Sequence, residues 1–589
     1  MKITILGSGT GQISLNRSSS AYWLQSRAGS FLIDCGSGTL KNLLAAGGDY
    51  LEIDGVFFTH THVDHVGELA ALIHALRHPT IEREKPLYLY GTADFVELFH
   101  THIAPLCGLP SRFSLHVETV LPQWHLGDIT ITTESMIHTP RMASIGYRFQ
   151  ENGQTIVFSG DCDWCPGILT LGQEADLLVL DCSCLEINKF VGHLSAGECG
   201  RIAEQCQAKG VVLSHFYPIP AHDEARRQEC ARYYGGRIYL AEDLDVYEWQ
   251  GERFQPVNKQ STWDNIQLMA REFRKSRIIL AAHNLGIFAT LAQGRVTAQQ
   301  LAQKRNLSLR GCRLLLDSLT SLGVIHKEGE TYLNTLTSNL HLHEAGEQSM
   351  INIMGHIAHM ERSWMGLEEA VQSGEPVHLP DQGLIHNQER NQIFIGAMAE
   401  MGRGWARQIV KIIDFSNCHS LLDLGGGPGV YAMEFMAENP QLNGVLIDLP
   451  ITLASAVPFI QQSPVAHRLT CKGVDFYQPD ADIGQGYDAV LISNVLHVEG
   501  EEANRLLLKK VYDAMLPGGI LLLHETIINP DRISPQERAL FAVNMLVHTQ
   551  RGNCYTFEEM AGWLTEAGFV RILLEPRMVP PSLIVAYKD

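Results

Sequence analysis

The sequence lacks the features that mark membrane and secreted proteins. Its 589 residues contain no run of about 18 apolar residues, the length that a membrane-spanning helix needs. Residues 1–7 lead at once into a glycine turn, without the basic start and long apolar core of a signal peptide. We therefore expect a cytoplasmic protein with no membrane partner.

Basic charge and disulfide signals are also scarce. The chain has 45 Lys and Arg against 65 Asp and Glu, a formal net charge of −20. Nucleic-acid binding needs clustered basic residues, and no long basic run occurs, so nucleic acid is a disfavoured partner. The thirteen cysteines are a modest and odd number, which indicates reduced thiols rather than a disulfide framework.

The chain is too long for one core, and its hydrophobic pattern changes twice. The first region alternates short apolar runs with glycine turns and ends in a polar stretch, 251–256, that we interpret as a linker. A helical region follows, and strand–helix alternation then resumes near residue 420. The pattern predicts a multidomain α/β protein with domains at 1–256, 257–374 and 375–589.

Histidine and carboxylate side chains cluster after an apolar run in the first region. His60, His62, Asp64 and His65 lie within six residues, between a predicted strand and a predicted helix. In extended backbone His60 and His62 point the same way, because side-chain direction repeats every two residues. The chain then turns into the helix, which brings Asp64 and His65 close to His60 and His62. One short segment can therefore supply ligands to two adjacent metal ions, with zinc, iron and manganese all suited to these donors.

Three further candidate ligands follow other predicted strands. His138 follows the run 129–136, Asp161 follows a run ending in Ser-Gly, and His215 follows 211–214. Because the ends of parallel strands converge on one rim of an α/β sheet, these side chains can meet in space.

The whole pattern resembles the metallo-β-lactamase superfamily, which implies an αββα sandwich with two divalent cations, zinc before iron or manganese. By this resemblance His60, His62 and His138 hold one ion, Asp64, His65 and His215 hold the second, and Asp161 bridges them. The paired ions would activate a water molecule for hydrolysis. The resemblance therefore places Asp64, a ligand of the second ion, among the catalytic residues as well.

The stretch Gly192-His193-Leu194-Ser195 resembles the ribonuclease Z-like branch, in which a histidine assists the leaving group. The alternative is that His193 only enters a helix beside an N-cap serine. Only 23 positions separate His138 from Asp161, too few for the RNA-gripping arm of tRNA-processing enzymes, so a small substrate is expected. Redox or rearrangement chemistry at the metal site stays an alternative.

Four cysteines follow two of the predicted strands of this region: Cys162, Cys165, Cys182 and Cys184. They could form a thiolate metal site or a redox pair near the active site. The simpler interpretation is that they are reduced thiols at small, buried positions, since their spacing fits no metal template.

A glycine-rich loop opens the third region. The run 420–424 leads into Gly425, Gly426 and Gly427, and a helix follows. Glycines let the backbone approach a ligand closely, and the helix start favours polar or anionic groups. Asp448 ends the next strand, where a carboxylate suits a ribose diol.

With the strands that follow, this loop resembles the class I S-adenosylmethionine-dependent O-methyltransferases of plant phenolics and bacterial natural products. The resemblance covers about residues 263–589 and implies a Rossmann-like catalytic domain behind a helical, winged-helix-like dimerisation region, hence a homodimer through 257–374. It assigns cofactor binding to Asp423, Gly425, Gly427, Asp448, Leu449, Asp475, Phe476 and Ser493. Residues 297–319 taken alone could be a DNA-binding helix–turn–helix, which the flanking match and the charge disfavour.

The resemblance also implies a catalytic pair. His497 occupies the position of the general base that removes a substrate proton, and Glu525 the position of a carboxylate that orients it. Val498 and Glu499 follow His497 where the plant enzymes have Asp-Trp, so transfer to O, N, S or C stays open. The alternative for His497 is a packed strand-end histidine.

Two site patterns in one chain predict a bifunctional biosynthetic enzyme that acts on small-molecule intermediates. An RNA-processing nuclease with a methyltransferase is one alternative, opposed by the acidity and the short 138–161 spacing. A binding protein with inactive sites is another, opposed by the intact motifs. The substrate, the metal and the order of the two reactions are left open.

Overall fold

The computed structural model describes residues 1–217, 223–257, 263–377, 387–575, 577–578 and 581–589. The chain divides into two compact units, Met1–Ser261 and Thr262–Asp589. The helical region and the second α/β region therefore belong to one unit, and the division expected at residue 374 stays a prediction. No helix among the described residues combines the length and apolar character needed to cross a bilayer.

The first unit contains fifteen strands among its described residues. They are β1 (Lys2–Gly7), β2 (Ala21–Gln25), β3 (Ser30–Ile33), β4 (Gly55–Phe57), β5 (Leu87–Gly91), β6 (Leu115–Thr119), β7 (Gln123–Leu126), β8 (Ile129–Met136), β9 (Ser144–Glu151), β10 (Gln154–Phe158), β11 (Leu177–Asp181), β12 (Gly210–Ser214), β13 (Arg237–Leu240), β14 (Val246–Gln250) and β15 (Arg253–Val257). They form an eight-stranded sheet, β15-β14-β1-β2-β3-β4-β5-β6, and a seven-stranded sheet, β13-β12-β11-β10-β9-β8-β7.

The helices of this unit are α1 (Thr39–Ala45), α2 (Val63–Val66), α3 (Leu69–Leu76), α4 (Ala93–Leu98), α5 (Ala104–Cys107), α6 (Pro166–Gly172), α7 (Ala196–Gln205) and α8 (Asp223–Ala231). One core, which includes Phe57 and Phe149, joins the inner faces of the two sheets. A second core packs α3 and α4 on the eight-stranded sheet, and a third packs α6 and α7 on the other. The order is therefore helix, sheet, sheet, helix, which confirms the expected αββα sandwich.

One local expectation for this unit is wrong. The stretch 251–256 is not a linker: β14 and β15 form an antiparallel hairpin there, with Trp249 opposite Phe254 at the edge of the larger sheet. The polar residues mislead because an edge hairpin exposes one face.

The second unit begins with a helical region that carries a small three-stranded sheet, β16-β18-β17. Its elements are α9 (Trp263–Asn284), α10 (Ile287–Leu291), β16 (Val296–Thr297), α11 (Ala298–Arg305), α12 (Leu309–Ser321), β17 (Ile325–Glu328), β18 (Thr331–Asn334), α13 (Leu336–His341), α14 (Ile351–Trp364), α15 (Leu367–Ser373) and α16 (Gln388–Ile412). Helix α9 exposes several large apolar side chains, Trp263 and Phe273 among them.

The rest of the unit is a seven-stranded sheet, β21-β20-β19-β22-β23-β25-β24, flanked by helices. Its elements are β19 (Ser420–Leu424), α17 (Val430–Glu438), β20 (Asn443–Asp448), α18 (Pro450–Gln461), β21 (Leu469–Gly473), β22 (Tyr487–Ser493), α19 (Glu501–Ala514), β23 (Met515–Glu525), α20 (Gln536–His548), α21 (Phe557–Ala567), β24 (Val570–Leu574) and β25 (Ser582–Tyr587). Strand β19 pairs in parallel with both β20 and β22. The glycine loop after β19 thus lies at the point where strand order reverses, the usual ligand crevice of such sheets.

Candidate active sites

Strand ends build the first candidate site. Asp34 follows β3, His60 and His62 follow β4, Asp161 follows β10, and His215 follows β12. Strands β3 and β4 are parallel neighbours in one sheet, and β10, β11 and β12 are parallel neighbours in the other. Both sheets therefore deliver polar side chains to a single rim, as the sequence pattern predicts.

One group of ligand atoms contains three imidazole nitrogens. Nδ1 of His62 lies 2.9 Å from Nε2 of His60 and 3.1 Å from Nε2 of His138. Oδ2 of Asp161 lies 3.7 Å from Nε2 of His60 and 3.8 Å from Nε2 of His138. Burial, together with the charge of His65, lowers the pKa of His60 well below its usual value, so this nitrogen is neutral and can act as a ligand.

The second group lies on the other side of the same carboxylate. Oδ1 of Asp161 is 3.3 Å from Nε2 of His65 and 3.2 Å from Nε2 of His215. Oδ2 of Asp64 is 3.7 Å and 3.6 Å from the same two nitrogens. The structure thus brings all seven expected ligands together in the expected two groups, with Asp161 between them. Their role as metal ligands stays a prediction.

Buried polar atoms without partners support the fit of this donor set to cations. Within the described part of the chain, Nε2 of His65 and Nε2 of His215 are fully buried and make no hydrogen bond of acceptable geometry, although each lies near Oδ1 of Asp161. An unpaired buried polar atom costs about 1–3 kcal/mol. Both atoms point at the shared carboxylate, where a divalent cation would satisfy them, and the set of nitrogen and carboxylate donors suits zinc.

Other side chains orient the ligands through their second ring nitrogens. Nδ1 of His65 lies 2.7 Å from Oδ2 of Asp34, and Nδ1 of His138 lies 2.8 Å from the carbonyl oxygen of Gly192. Asp34 and His215 both adopt left-handed backbone conformations, with φ of 59° and 60°, which are uncommon for residues other than glycine. Such outer contacts hold the rings in place and raise their basicity.

His193 lies beside this cluster and is held by a carboxylate that the sequence pattern missed. Its Nδ1 lies 2.8 Å from Oδ2 of Asp181, the last residue of β11. Ser183 donates a 2.6 Å hydrogen bond to Oδ1 of the same carboxylate, and its Oγ lies 3.1 Å from Nδ1 of His215. Burial alone would lower the pKa of His193, but the charge and hydrogen bond of Asp181 raise it above its usual value. His193 therefore contacts Asp181 as well as preceding α7, which Ser195 caps, and its catalytic role stays a prediction.

Asp34 and Asp181 were both within reach of sequence reasoning. Each directly follows or ends a predicted apolar strand, the same signal that identifies Asp161 and His215. The four cysteines, in contrast, belong to no group of converging ligand atoms in the described residues. All are buried free thiols, and burial raises the pKa of Cys162 well above its usual value and that of Cys184 to about 12.

The second candidate site surrounds the glycine loop. Gly425 has a φ of 71°, and a methyl group there would lie 2.5 Å from the side chain of Val495 and 3.3 Å from that of Phe476. Gly427 donates a 2.8 Å hydrogen bond to Oδ2 of Asp448, whose Oδ1 accepts a 2.7 Å bond from the backbone of Leu449. The loop and the end of β20 therefore form one rigid cradle.

The remaining expected cofactor residues differ in position. Asp423 is buried beneath the loop and accepts from the backbone of Ala432, and burial raises its pKa to about 7. Phe476 is buried against Gly425, whereas Asp475 is exposed and holds Tyr477 and Gln478. Ser493 Oγ lies 2.9 Å from Nδ1 of His524, a neighbour that the sequence did not indicate.

His497 and Glu525 meet at the ends of β22 and β23. Nδ1 of His497 lies 2.6 Å from Oε1 of Glu525, whose Oε2 accepts bonds from the backbone of Val495 and Leu496. Burial alone would raise the pKa of Glu525, but the charge and hydrogen bond of His497 lower it below its usual value. The ring of Phe541 from α20 packs edge-on against His497, with 5.0 Å between centroids.

Comparisons with known proteins match each unit separately. Residues 369–570 match the family model of the O-methyltransferase domain, and residues 267–344 match that of the O-methyltransferase dimerisation domain. Residues 1–234 match the family model of anti-Pycsar protein Apyc1.

Individual proteins are similar to parts of this chain. The 3-hydroxy-5-methyl-1-naphthoate 3-O-methyltransferase of Streptomyces sahachiroi is 30% identical over 50% of this chain and 86% of its own length. Human N-acetylserotonin methyltransferase in complex with SAM is 25% identical with a TM-score of 0.50, over 57% of this chain and all of that chain. The metallo-β-lactamase fold protein YhfI of Bacillus subtilis is 25% identical over 42% of this chain and 99% of its own, with a TM-score of 0.38.

Proposed function

This chain belongs to the O-methyltransferase family, and on that premise we propose that it is a bifunctional biosynthetic enzyme. Its second unit transfers a methyl group to a hydroxyl of a small molecule. Its first unit hydrolyses a related small molecule at a site with two divalent cations, zinc before iron or manganese. The observation that supports methyl transfer most directly is the His497–Glu525 contact beside the glycine loop.

S-adenosylmethionine supplies the methyl group when it is bound. Gly425, Gly427 and Asp448 would hold it. Residue 425 must be glycine there, because a side chain would collide with Val495. Phe476 offers an apolar face there, and Leu449 is the N-cap residue of α18 beside the carboxylate. Asp423 acts indirectly, because it holds the start of α17 from below the loop.

The proton chemistry of methyl transfer belongs to His497. Glu525 accepts from Nδ1 of the ring, which leaves Nε2 unprotonated and able to take the proton of a substrate hydroxyl as the methyl group arrives. Glu525 can remain an anion in a buried position because three backbone N–H groups and His497 surround it. Phe541 restricts the rotation of the ring, so that the base is held in one orientation.

Hydrolysis at the first unit would depend on its own acid. The seven ligands would hold two divalent cations, which would supply Lewis acidity when bound. Asp181 accepts from Nδ1 of His193, so Nε2 of that ring is the atom that can deliver a proton to a leaving oxygen. The raised pKa of His193 keeps the acid form available near neutral pH.

A homodimer completes this proposal. Residues 267–344 match a dimerisation domain, and α9 exposes Trp263, Ile266, Met269 and Phe273 at its surface. A contiguous apolar surface of this kind marks a protein contact. The solution mass of the whole chain should be that of two copies.

The activities can be tested separately on the purified chain. Incubation with S-adenosylmethionine and a hydroxynaphthoate, the acceptor named for the Streptomyces relative, should yield an O-methylated product by mass spectrometry. Elemental analysis should find about two divalent cations per chain. Absence of any methylated product from a panel of phenolic acceptors, with S-adenosylmethionine bound, would contradict the proposed methyl transfer. Absence of metal would contradict the proposed hydrolase site.

A further inference from the structure

Five exposed aliphatic residues lie on segments that lead into or border the two-cation site. They are Ile13, Leu15, Val63, Ile137 and Val191, with exposed fractions of 98%, 105%, 79%, 57% and 89%. We call this set the apolar rim. Single exposed aliphatic residues are common, but a group of them around one polar cleft marks a binding surface.

The rim residues are attached to the site by position and contact. Val63 lies between His62 and Asp64, and Ile137 precedes His138. The loop of Val191 is held to the site because Gly192 accepts a 2.8 Å bond from Nδ1 of His138.

The loop of Ile13 and Leu15 also reaches the site. It passes the second group of ligands at Gly11, where an added methyl group would lie 3.4 Å from the carboxyl carbon of Asp64. All five rim residues therefore stand on loops that end at candidate ligands or pass them.

Aromatic rings continue this surface down to the candidate acid. The ring centroids of Phe190 and Tyr217 lie 5.2 Å and 5.6 Å from that of His193, and the two rings are 5.4 Å apart. Phe190 and Tyr217 therefore form an aromatic wall beside His193.

The lysine on this loop is already paired with acidic side chains. Lys189 precedes the aromatic wall, but it is 2.8 Å from Oδ1 of Asp163 and 2.5 Å from Oε2 of Glu198. It also donates to the carbonyl oxygen of His193. With these partners its ammonium group is not available to a phosphate, which prefers free cationic donors.

We propose that the apolar rim binds the aromatic body of a neutral carboxylic ester, and that the two-cation site cleaves this ester to release an aryl hydroxyl. The proposal rests on the hydrolase function proposed above. Water supplies the oxygen that bonds to the acyl carbon, the bond from that carbon to the aryl oxygen breaks, and a proton passes to the leaving oxygen through His193. The product carries the hydroxyl group that an O-methyltransferase consumes.

The test uses the zinc-loaded full chain and two esters with the same acyl group, 1-naphthyl acetate and ethyl acetate. The variant is Ile13→Ser/Leu15→Ser/Val191→Ser, and the control is Leu106→Ser/Leu109→Ser, which removes two exposed aliphatic side chains elsewhere in the unit. We expect the kcat/KM of the rim variant for 1-naphthyl acetate to fall by about tenfold or more, mainly through a higher KM. The reason is that an apolar contact stabilises the bound substrate and the transition state equally. Its rate with ethyl acetate and its zinc content should match those of the control.

A second measurement does not depend on turnover. In the Co²⁺-substituted chain, the visible absorption of cobalt reports on the first unit alone, and titration with 1-naphthol should change it. The rim variant should require about tenfold more 1-naphthol than the control for the same change.

Three results would overturn the proposal while the hydrolase function stands. They are equal naphthyl acetate kinetics in the rim variant and the control, faster cleavage of bis(4-nitrophenyl) phosphate than of either ester, or a lower solution mass of the rim variant, which would make the rim a subunit contact. Failure of zinc-dependent cleavage with all three substrates would instead remove the hydrolase function itself.

Discussion

Oδ2 of Asp34 lies 2.7 Å from Nδ1 of His65, and both side chains are fully buried. The carboxylate is held in turn by the backbone N–H of Thr59, 2.8 Å from its Oδ1. A residue before the histidine cluster thus orients one of the candidate ligands. The ring of His65 faces the second cation position through its Nε2. Loss of its partner Asp34 should therefore weaken metal binding although all the ligands remain.

Replacement of this partner tests its role. We expect Asp34→Asn to weaken zinc binding by about 10–100-fold, the usual effect of a lost outer-sphere hydrogen bond. Competition with a chromogenic chelator measures it, and Asp128→Asn, an exposed carboxylate of the same unit, serves as the control. Zinc affinity equal to that of the control would show that Asp34 only supports the fold.

Single ligand replacements should separate the two cation positions. His62→Ala removes a donor of the first group and His215→Ala a donor of the second, so each variant should hold about one zinc ion per chain. The full chain should hold about two. Elemental analysis after dialysis gives the numbers, and circular dichroism shows that the variants fold. Two ions retained in both variants would mean that the cations bind elsewhere.

The contact between His497 and Glu525 predicts a defect in the methyl-transfer step itself. Glu525→Gln keeps the shape of the side chain but removes the anion, so kcat should fall by about 10–100-fold, while His497→Ala should cost about 10²–10⁴-fold. Affinity for S-adenosylhomocysteine, measured by calorimetry, should stay unchanged in both. Asp513→Asn, on the surface of α19, is the control. A defect confined to cofactor affinity would argue against the assigned roles.

Gly425 should be intolerant of any side chain. Alanine there would meet Val495 at 2.5 Å and adopt a φ of 71°, which costs roughly 1–2 kcal/mol for a residue with a Cβ. We expect Gly425→Ala to weaken S-adenosylhomocysteine binding by about tenfold or more. Gly404→Ala on α16 meets nothing within 4 Å and should bind normally. Equal affinities would place the cofactor away from the loop.

His524 gives the second unit a pH-dependent stability. Burial lowers its pKa to about 4, whereas the unfolded chain has a histidine pKa of about 6.5. Between these values the unfolded state binds more protons, so stability falls as the pH drops through about 6.5 toward about 4.

The size of this effect can be isolated by a variant. From pH of about 7.5 to about 5.5, His524 should cost about 1 kcal/mol of folding free energy. Denaturant unfolding gives the free energy of unfolding of the second unit, whose transition is the one that S-adenosylhomocysteine shifts. The difference in this free energy between the two pH values should be smaller in His524→Gln than in the unsubstituted chain. An unchanged difference would show that His524 is not the titrating group.

The sequence by itself determined the kind of fold and a set of candidate residues for the chemistry, whose roles stay predictions. His60, His62, Asp64 and His65 could be assigned because adjacent residues after a strand must project in known directions. The ligands at 138, 161 and 215 followed from the rule that parallel strand ends converge. The glycines at 425 and 427 could be identified because only glycine allows such a loop.

Only the tertiary structure decided which side chains assist these residues. The pairing of Asp34 with His65, of Asp181 with His193 and of Phe541 with His497 joins segments between 12 and 44 positions apart. Such contacts depend on sheet register and helix placement, which no local pattern encodes. For the same reason the polar stretch before residue 257 was mistaken for a linker, since pairing with β14 and not its composition makes it a strand. The exposure of the apolar rim is likewise a property of the tertiary structure, because the fold decides which aliphatic side chains near the site stay uncovered.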